Sequence, residues 1–224
     1  MDVPKLIQTG DGSHSLYIRE LNETYHSTHG ALSESKHVFL SSGVQYWLNK
    51  ENSKSIRILE IGFGTGLNAL MMLDFARAQP DLDIEFCTLE PFPLPEELYT
   101  KLNFTDLMEN VHASDLVKMH SAPMGEQVIL GNFEFIKHDD QVQEAQLKNN
   151  FTVVFFDAFA PNKQPEMWDI AVIRKMYEVL IPGGVFVTYC AQGQFKRDLK
   201  SVGFEVQTLE GPPGKKEMVR GLKN

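Results

Sequence analysis

The sequence predicts an α/β domain built on a largely parallel sheet with helices on both faces. Three observations carry this expectation. From Ile56 onward, short apolar runs alternate with helix-length segments. The first run passes through Gly62-Phe63-Gly64-Thr65-Gly66 straight into a helical pattern. Finally, two late strands, Phe204–Leu209 and Met218–Gly221, have no helix between them, which predicts an antiparallel hairpin at the C-terminal edge.

In chain order, Leu6–Thr9 and Ser15–Arg19 flank Gly10-Asp11-Gly12-Ser13 and read as a β-hairpin. Ala31 to Asn49 spaces Leu32, Val38, Phe39, Val44, Trp47 and Leu48 for one or two helices. Residues 1–52 are therefore expected as an N-terminal extension packed on a core domain of residues 53–224. Ile56–Ile61 is the first core strand, and the helix after it, Leu67–Ala78, ends before Pro80. Asp83–Leu89 is a second strand, closing on Glu90. Beyond Pro91–Pro95, helices are expected over Glu96–Leu102 and Asp106–Val117. Val128–Ile136 reads as a third strand, closing on His138-Asp139-Asp140 ahead of a polar helix at Gln141–Leu147. Phe151–Phe156 is the fourth, closing on Asp157. A helix over Met167–Leu180 is stopped by Pro182-Gly183-Gly184, and a strand (Val185–Cys190) and a helix (Gln194–Val202) follow.

Composition narrows the class. A chain of 224 residues buries roughly 70% of its unfolded surface on folding and needs no staple. With 42% hydrophobic and 23% charged residues, it is neither a disordered tail nor a collagenous or coiled-coil protein. No apolar run approaches the ~20 residues of a membrane span, and Met1-Asp2-Val3-Pro4-Lys5 does not begin an export signal. Cys87 and Cys190 lie in separate strand-like runs without a Cys-x-x-Cys, as expected of free thiols in a reducing cytoplasm. His26 and His29 alone among seven histidines have ligand-like spacing, in a loop, so no metal is expected. The net charge is −9, but residues 195–224 hold seven basic against four acidic residues, net +3, leaving −12 for the rest.

Ligands of open α/β sheets bind at the carboxyl ends of the strands. Here those ends carry Glu60 with the glycines, then Glu90, Asp139-Asp140 and Asp157. Such carboxylates suit a ligand with ribose hydroxyls, an adenine amino group and a cationic end. Gly62-x-Gly64-x-Gly66 lacks the Gly-x-Gly-x-x-Gly spacing of the dinucleotide fingerprint. With Glu60 at its start it suits the ammonium end of S-adenosylmethionine. Asp157 emerges from a buried strand into an aromatic loop, where it can hold or deprotonate a nucleophile, or cap a loop. Asp139-Asp140 serves equally as a ligand acceptor or a helix N-cap.

Several motifs carry a family resemblance. Ile58-Leu59-Glu60-Ile61-Gly62-Phe63-Gly64-Thr65-Gly66-Leu67-Asn68 looks like a cofactor loop. The stretch Asp157-Ala158-Phe159-Ala160-Pro161-Asn162-Lys163-Gln164-Pro165-Glu166-Met167-Trp168 resembles the signature D-[AG]-F-A-P-x-K-x-P-x-M-W, and Gly214-Lys215-Lys216-Glu217-Met218 is similar to G-x-K-R-E-M. Glu23-Thr24-Tyr25-His26-Ser27, Gly30-Ala31-Leu32-Ser33-Glu34 and Val38-Phe39-Leu40 complete the pattern. Together they resemble the bacterial methyltransferases that complete 5-methylaminomethyl-(2-thio)uridine at the tRNA wobble position. The form resembled is the standalone methyltransferase, without the FAD-dependent oxidase to which this domain is often fused.

The resemblance implies a class I S-adenosylmethionine-dependent fold and N-methylation of an aminomethyl uridine in the anticodon region of tRNA, by a cytoplasmic enzyme. It implies Asp157 as the catalytic residue. Glu60, Gly62, Phe63, Gly64, Thr65, Gly66, Asn68, Glu90, Asp139, Asp140 and Asp157 would hold the cofactor. Tyr25, Phe159 and Trp168 would meet the base, with Trp168 alternatively in a helix core, and Lys163, Lys215 and Lys216 would meet phosphates. Lys216 stands where an Arg is common, which keeps the charge but loses a bidentate fork. The competing readings are a transferase acting on a small amine or carboxylate, an aminopropyl transferase, and a non-catalytic cofactor-binding module.

Overall fold

The computed structural model describes residues 3–224; Met1 and Asp2, the start of the expected extension, lie outside the described residues. The N-terminal region opens with a three-stranded antiparallel sheet, β1 (Lys5–Gln8), β2 (His14–Ile18) and β3 (Glu23–Thr24). Asp11 in the β1–β2 turn accepts from Ser13 and from the amide and hydroxyl of Ser33, which pins the hairpin to the helix that follows. That helical stretch begins as α1 (Ala31–Ser35), is π-helical over Lys36–Gln45 and ends as α2 (Tyr46–Glu51). The Ser42 hydroxyl donates to the His37 carbonyl five residues earlier, an acceptor of the wider helix. A Cβ at Gly43 would stand 3.0 Å from Val187 and 3.4 Å from Val153, so a side chain there would push the stretch off the sheet.

The main sheet has eight strands in the order β10-β11-β9-β8-β4-β5-β7-β6. They are β4 (Ser55–Ile61), β5 (Asp83–Leu89), β6 (Gln127–Ile129), β7 (Phe133–His138), β8 (Phe151–Phe156), β9 (Leu180–Thr188), β10 (Glu205–Glu210) and β11 (Glu217–Leu222). Strands β7, β5, β4, β8 and β9 are mutually parallel, and β6 and β11 run antiparallel to their neighbours. The expected C-terminal hairpin is present, with β11 on the inside against β9. Strand order reverses between β4 and β8, which opens a crevice at their carboxyl ends.

Alternation along the strands divides the core. Ile56 and Ile58 of β4 face one layer with Val153 and Phe155 of β8, under the π-helical stretch and α3 (Leu67–Arg77). Leu59, Ile61, Val154 and Phe156 face the other, under α6 (Ile170–Val179) and α7 (Gly193–Val202). Among the described residues, no helix is long and apolar enough to cross a membrane.

Five local expectations are corrected. Glu96–Leu102 is helical only as α4 (Glu96–Tyr99), and the helix expected at Asp106–Val117 begins at Ala113 as α5 (Ala113–Ser121) after a short 3-10 turn at Phe104–Leu107. Asp74 accepts the Asn110 amide, Arg77 donates to the Asn110 carbonyl, and Asp115 accepts the His112 amide, so the chain is held out of a helix until residue 113. The run Val128–Ile136 is a hairpin, since Gly131 adopts φ +75° and the Asn132 side-chain Nδ2 donates to the carbonyls of Ala76 and Leu82. Gln141–Leu147 is a turn; Lys175 takes the carbonyls of Val142 and Gln143, and only Val142 and Ala145 are buried. The helix expected from Met167 begins at Ile170, after a 3-10 turn at Pro165–Trp168.

Candidate active site

Backbone hydrogen bonds continue past the strand ends and bring the predicted residues side by side. The Asp157 amide donates to the Ile61 carbonyl (3.1 Å), Gly62 to Leu89 (3.1 Å) and Glu90 to His138 (2.8 Å). Above them opens a cleft of about 660 Å³, in the size range of small-molecule and cofactor sites. The glycine loop from Gly62 to Thr65, Glu90, Asp140 and Asp157 line it, and so do Tyr25, Phe159 and Lys215.

The loop presents backbone to this cleft. Gly62 and Gly64 have φ of +92° and +50°, and a Cβ on Gly64 would stand 3.0 Å from the Tyr25 ring. Glu90 fastens the loop, its Oε2 accepting the Gly64 amide at 2.7 Å and its Oε1 the Phe92 amide at 2.8 Å. Burial raises its pKa, against the two amides and the nearby Lys137 ammonium, which lower it. Lys137 is itself 1% exposed, donates to the Met119 carbonyl at 3.2 Å and stands 5.5 Å from the centre of the Phe63 ring.

Asp157 follows the wholly buried β8, and its Oδ2 accepts from the Asn68 amide at 2.9 Å. Burial, reinforced by the charge of Glu34, pushes its pKa up to about 7, against Asn68 and Lys215, which lower it. It can therefore take up a proton near neutrality, as a general base must. Glu34 on α1 pairs with Lys215, whose ammonium lies 3.8 Å from the centre of the Tyr189 ring. Tyr25 meets Phe159 edge-on at 5.2 Å, and His26 bonds the Thr65 hydroxyl at 2.6 Å, tying the N-terminal region to the glycine loop.

Most of the other expected residues lie outside the cleft lining. Glu60 sits within β4, fully buried; its Oε2 accepts the Thr88 hydroxyl and burial holds its carboxyl well above the usual range. Gly66 caps α3, and Asn68 is buried behind Asp157. Asp139 and Asp140 are both exposed, but only Asp140 lines the cleft. Trp168 is not available to a base: it packs edge-on against Phe156 and Phe195, and its indole N–H donates to the Phe159 carbonyl. Lys163 donates to the Leu21 carbonyl at 2.7 Å, which spends its ammonium on the N-terminal region. Lys215 turns inward to Glu34, whereas Lys216 is exposed.

Sequence reasoning did not single out Glu34 and Tyr189 as site residues. Tyr189 directly follows β9, so the strand-end rule that finds Asp157 extends to it. Glu34 stands in a quoted motif, yet its arrival at the cleft depends on packing 181 residues away in sequence.

A family model described as S-adenosyl-L-methionine-dependent methyltransferase matches residues 106–224. The chain belongs to this methyltransferase family. It is 31% identical over 221 residues to the tRNA 5-methylaminomethyl-2-thiouridine biosynthesis bifunctional protein MnmC of Actinobacillus pleuropneumoniae, covering 91% of this chain and 33% of that protein. The protein of the same name from Leptospira interrogans is 29% identical over 212 residues, covering 90% of this chain and 33% of its own length. This chain thus spans about a third of the length of the curated relatives it matches. Among solved structures, MnmC2 from Aquifex aeolicus superimposes with a TM-score of 0.77 at 24% identity, over 99% of this chain and 70% of that one. Spermidine synthase from Thermotoga maritima shares the fold at a TM-score of 0.55 and 13% identity, over 100% of this chain and 70% of the other.

These matches bear out the expected class I methyltransferase fold, enzyme class and S-adenosylmethionine cofactor. The methyltransferase cleft fits that group: its volume of about 660 Å³ opens beside the Gly62–Thr65 loop, and Glu90 retains acceptor capacity beyond its two amide donors.

Proposed function

We propose that this methyltransferase N-methylates the aminomethyl group of the modified wobble uridine in tRNA, in the cytoplasm. The observation that carries this reading is Asp157, a carboxylate pushed up to about 7 in a cleft lined by six acidic side chains and by Lys215 as its sole lysine or arginine. Such a cleft repels phosphates and accepts a cationic substituent. A base bearing an alkylammonium can enter while its backbone stays outside. The names of the relatives support the same substrate.

The site residues divide the work. The Gly62–Thr65 backbone and Glu90 hold the cofactor, with Asp140 at the margin of its site. S-adenosylmethionine, when bound, supplies the methyl group as a sulfonium electrophile. Tyr25 and Phe159 face the incoming base. Asp157 takes the proton that the ammonium must lose, which leaves the nitrogen lone pair free. Asn68 keeps the Asp157 carboxylate oriented through its 2.9 Å hydrogen bond. Lys216, exposed beside the cleft residue Lys215, meets a phosphate.

The test is nucleoside mass spectrometry of tRNA carrying aminomethyl-(2-thio)uridine after incubation with the purified protein and S-adenosylmethionine. Conversion to methylaminomethyl-(2-thio)uridine is expected. An unchanged nucleoside, or methylation of a free diamine in its place, overturns the assignment.

A further inference from the structure

The Lys215 ammonium occupies a small cage. Its side chain, 33% exposed, reaches Glu34 Oε1, while the Glu34 side chain is only 8% exposed. Glu34 Oε2 is already taken by the Ser27 amide at 2.9 Å, so the oxygen that faces Lys215 is the free end of a fixed carboxylate. The Tyr189 ring forms the second wall, 3.8 Å from the ammonium, and its hydroxyl is anchored on the Ala158 carbonyl at 2.8 Å. Glu34, Tyr189, Lys215 and Asp157 all line the one cleft. A charge-assisted hydrogen bond and a cation–π contact together form a binding site for a primary alkylammonium.

The chain brings its own cation there by a close approach. Gly214, at φ +86°, lies so near His29 that a Cβ would stand 2.0 Å from the imidazole. Only glycine lets this hairpin loop come down far enough for the next residue to reach Glu34.

Resting on the proposed function, we infer that Lys215 is an internal plug: its ammonium occupies the Glu34–Tyr189 cage that receives the aminomethyl group of the substrate. The two groups are chemically alike, each a methylene bearing a primary ammonium, and the cage holds one at a time. An RNA substrate brings phosphates that draw Lys215 outward beside the exposed Lys216, which frees the cage for the aminomethyl group. A free small amine brings no phosphate and finds the cage closed. Lys215 is thus a specificity-determining residue that reserves the site for amines carried on RNA.

The test uses propylammonium chloride titrated calorimetrically into Lys215→Ala protein loaded with S-adenosylhomocysteine, at constant ionic strength. Saturable binding about tenfold or more tighter than to the wild type, and lost again in Lys215→Ala/Glu34→Gln, is expected from restoring one charge-assisted contact. Equal binding to all three proteins overturns the plug. Should Lys215→Ala not fold, Lys215→Arg keeps the ion pair and grips Glu34 with a two-pronged fork. This variant is expected to raise KM for the RNA about tenfold with kcat nearly unchanged, and an unchanged KM overturns the proposal. The binding arm needs neither RNA nor methyl transfer, so its failure is distinct from failure of the proposed reaction.

Discussion

The Asn68 side-chain amide donates to Asp157 Oδ2 at 2.9 Å from the opposite side of the glycine loop. Asn68 lies on α3, just after the loop, and Asp157 just after β8, so one hydrogen bond joins the two halves of the crevice. It lowers the Asp157 pKa, while burial and the Glu34 charge raise it to about 7. The outcome is a carboxylate balanced between its two protonation states at neutral pH.

Asp157→Asn preserves shape and removes basicity. The single-turnover methylation rate is expected to fall by about 10²-fold or more, the usual scale of general base catalysis. S-adenosylmethionine affinity should change far less. In the wild type the rate should rise with pH through about 7 as the carboxyl loses its proton. Near wild-type turnover in the variant would remove Asp157 from the chemistry.

The same raised pKa has a stability consequence of defined sign. Between the carboxyl's unfolded pKa of about 4 and about 7, the folded protein holds a proton that the unfolded chain has released. Wild-type stability should therefore fall as pH rises across that window. Asp157→Asn lacks this penalty and should gain up to about 4 kcal/mol relative to wild type between pH 4 and pH 8. Urea midpoints of both proteins at the two pH values measure it; a constant difference between them would contradict the assignment.

Glu90 fastens the Gly64 amide, and we propose that it also holds the cofactor. Glu90→Ala is expected to weaken S-adenosylmethionine binding by about tenfold or more, the scale of one charge-assisted hydrogen bond. Calorimetry is the check. Affinity equal to the wild type would move the cofactor away from β5.

Lys216 is exposed, while Lys215 is engaged by Glu34. Lys216→Ala should weaken tRNA binding and reduce the log–log salt slope by about 1 unit. Cofactor affinity should not move. A salt slope identical to wild type would return Lys216 to an ordinary solvated surface.

The alternation of apolar runs with helical segments, the Gly62–Gly66 turn and the placement of Glu90 and Asp157 at strand ends were all legible in the residues themselves. Each depends on local chain properties: strand period, glycine conformation, and the rule that ligands meet the carboxyl edge of a parallel sheet. Side-chain destinations were not legible, because they depend on which distant segment packs alongside. Glu60 belongs to the same strand-end motif, yet the pleat turns it inward to Thr88. Trp168 stands in a specific motif beside Lys163, and the packing of Phe156 and Phe195 takes it into the core. The Glu34–Lys215 pair spans 181 residues of sequence and exists only because α1 and the β10–β11 loop are both folded over the cleft. The sequence by itself determined the sheet, the glycine loop and the acids at its edge. The tertiary structure alone decided which charges are buried and paired, since burial and pairing are properties of three-dimensional neighbours.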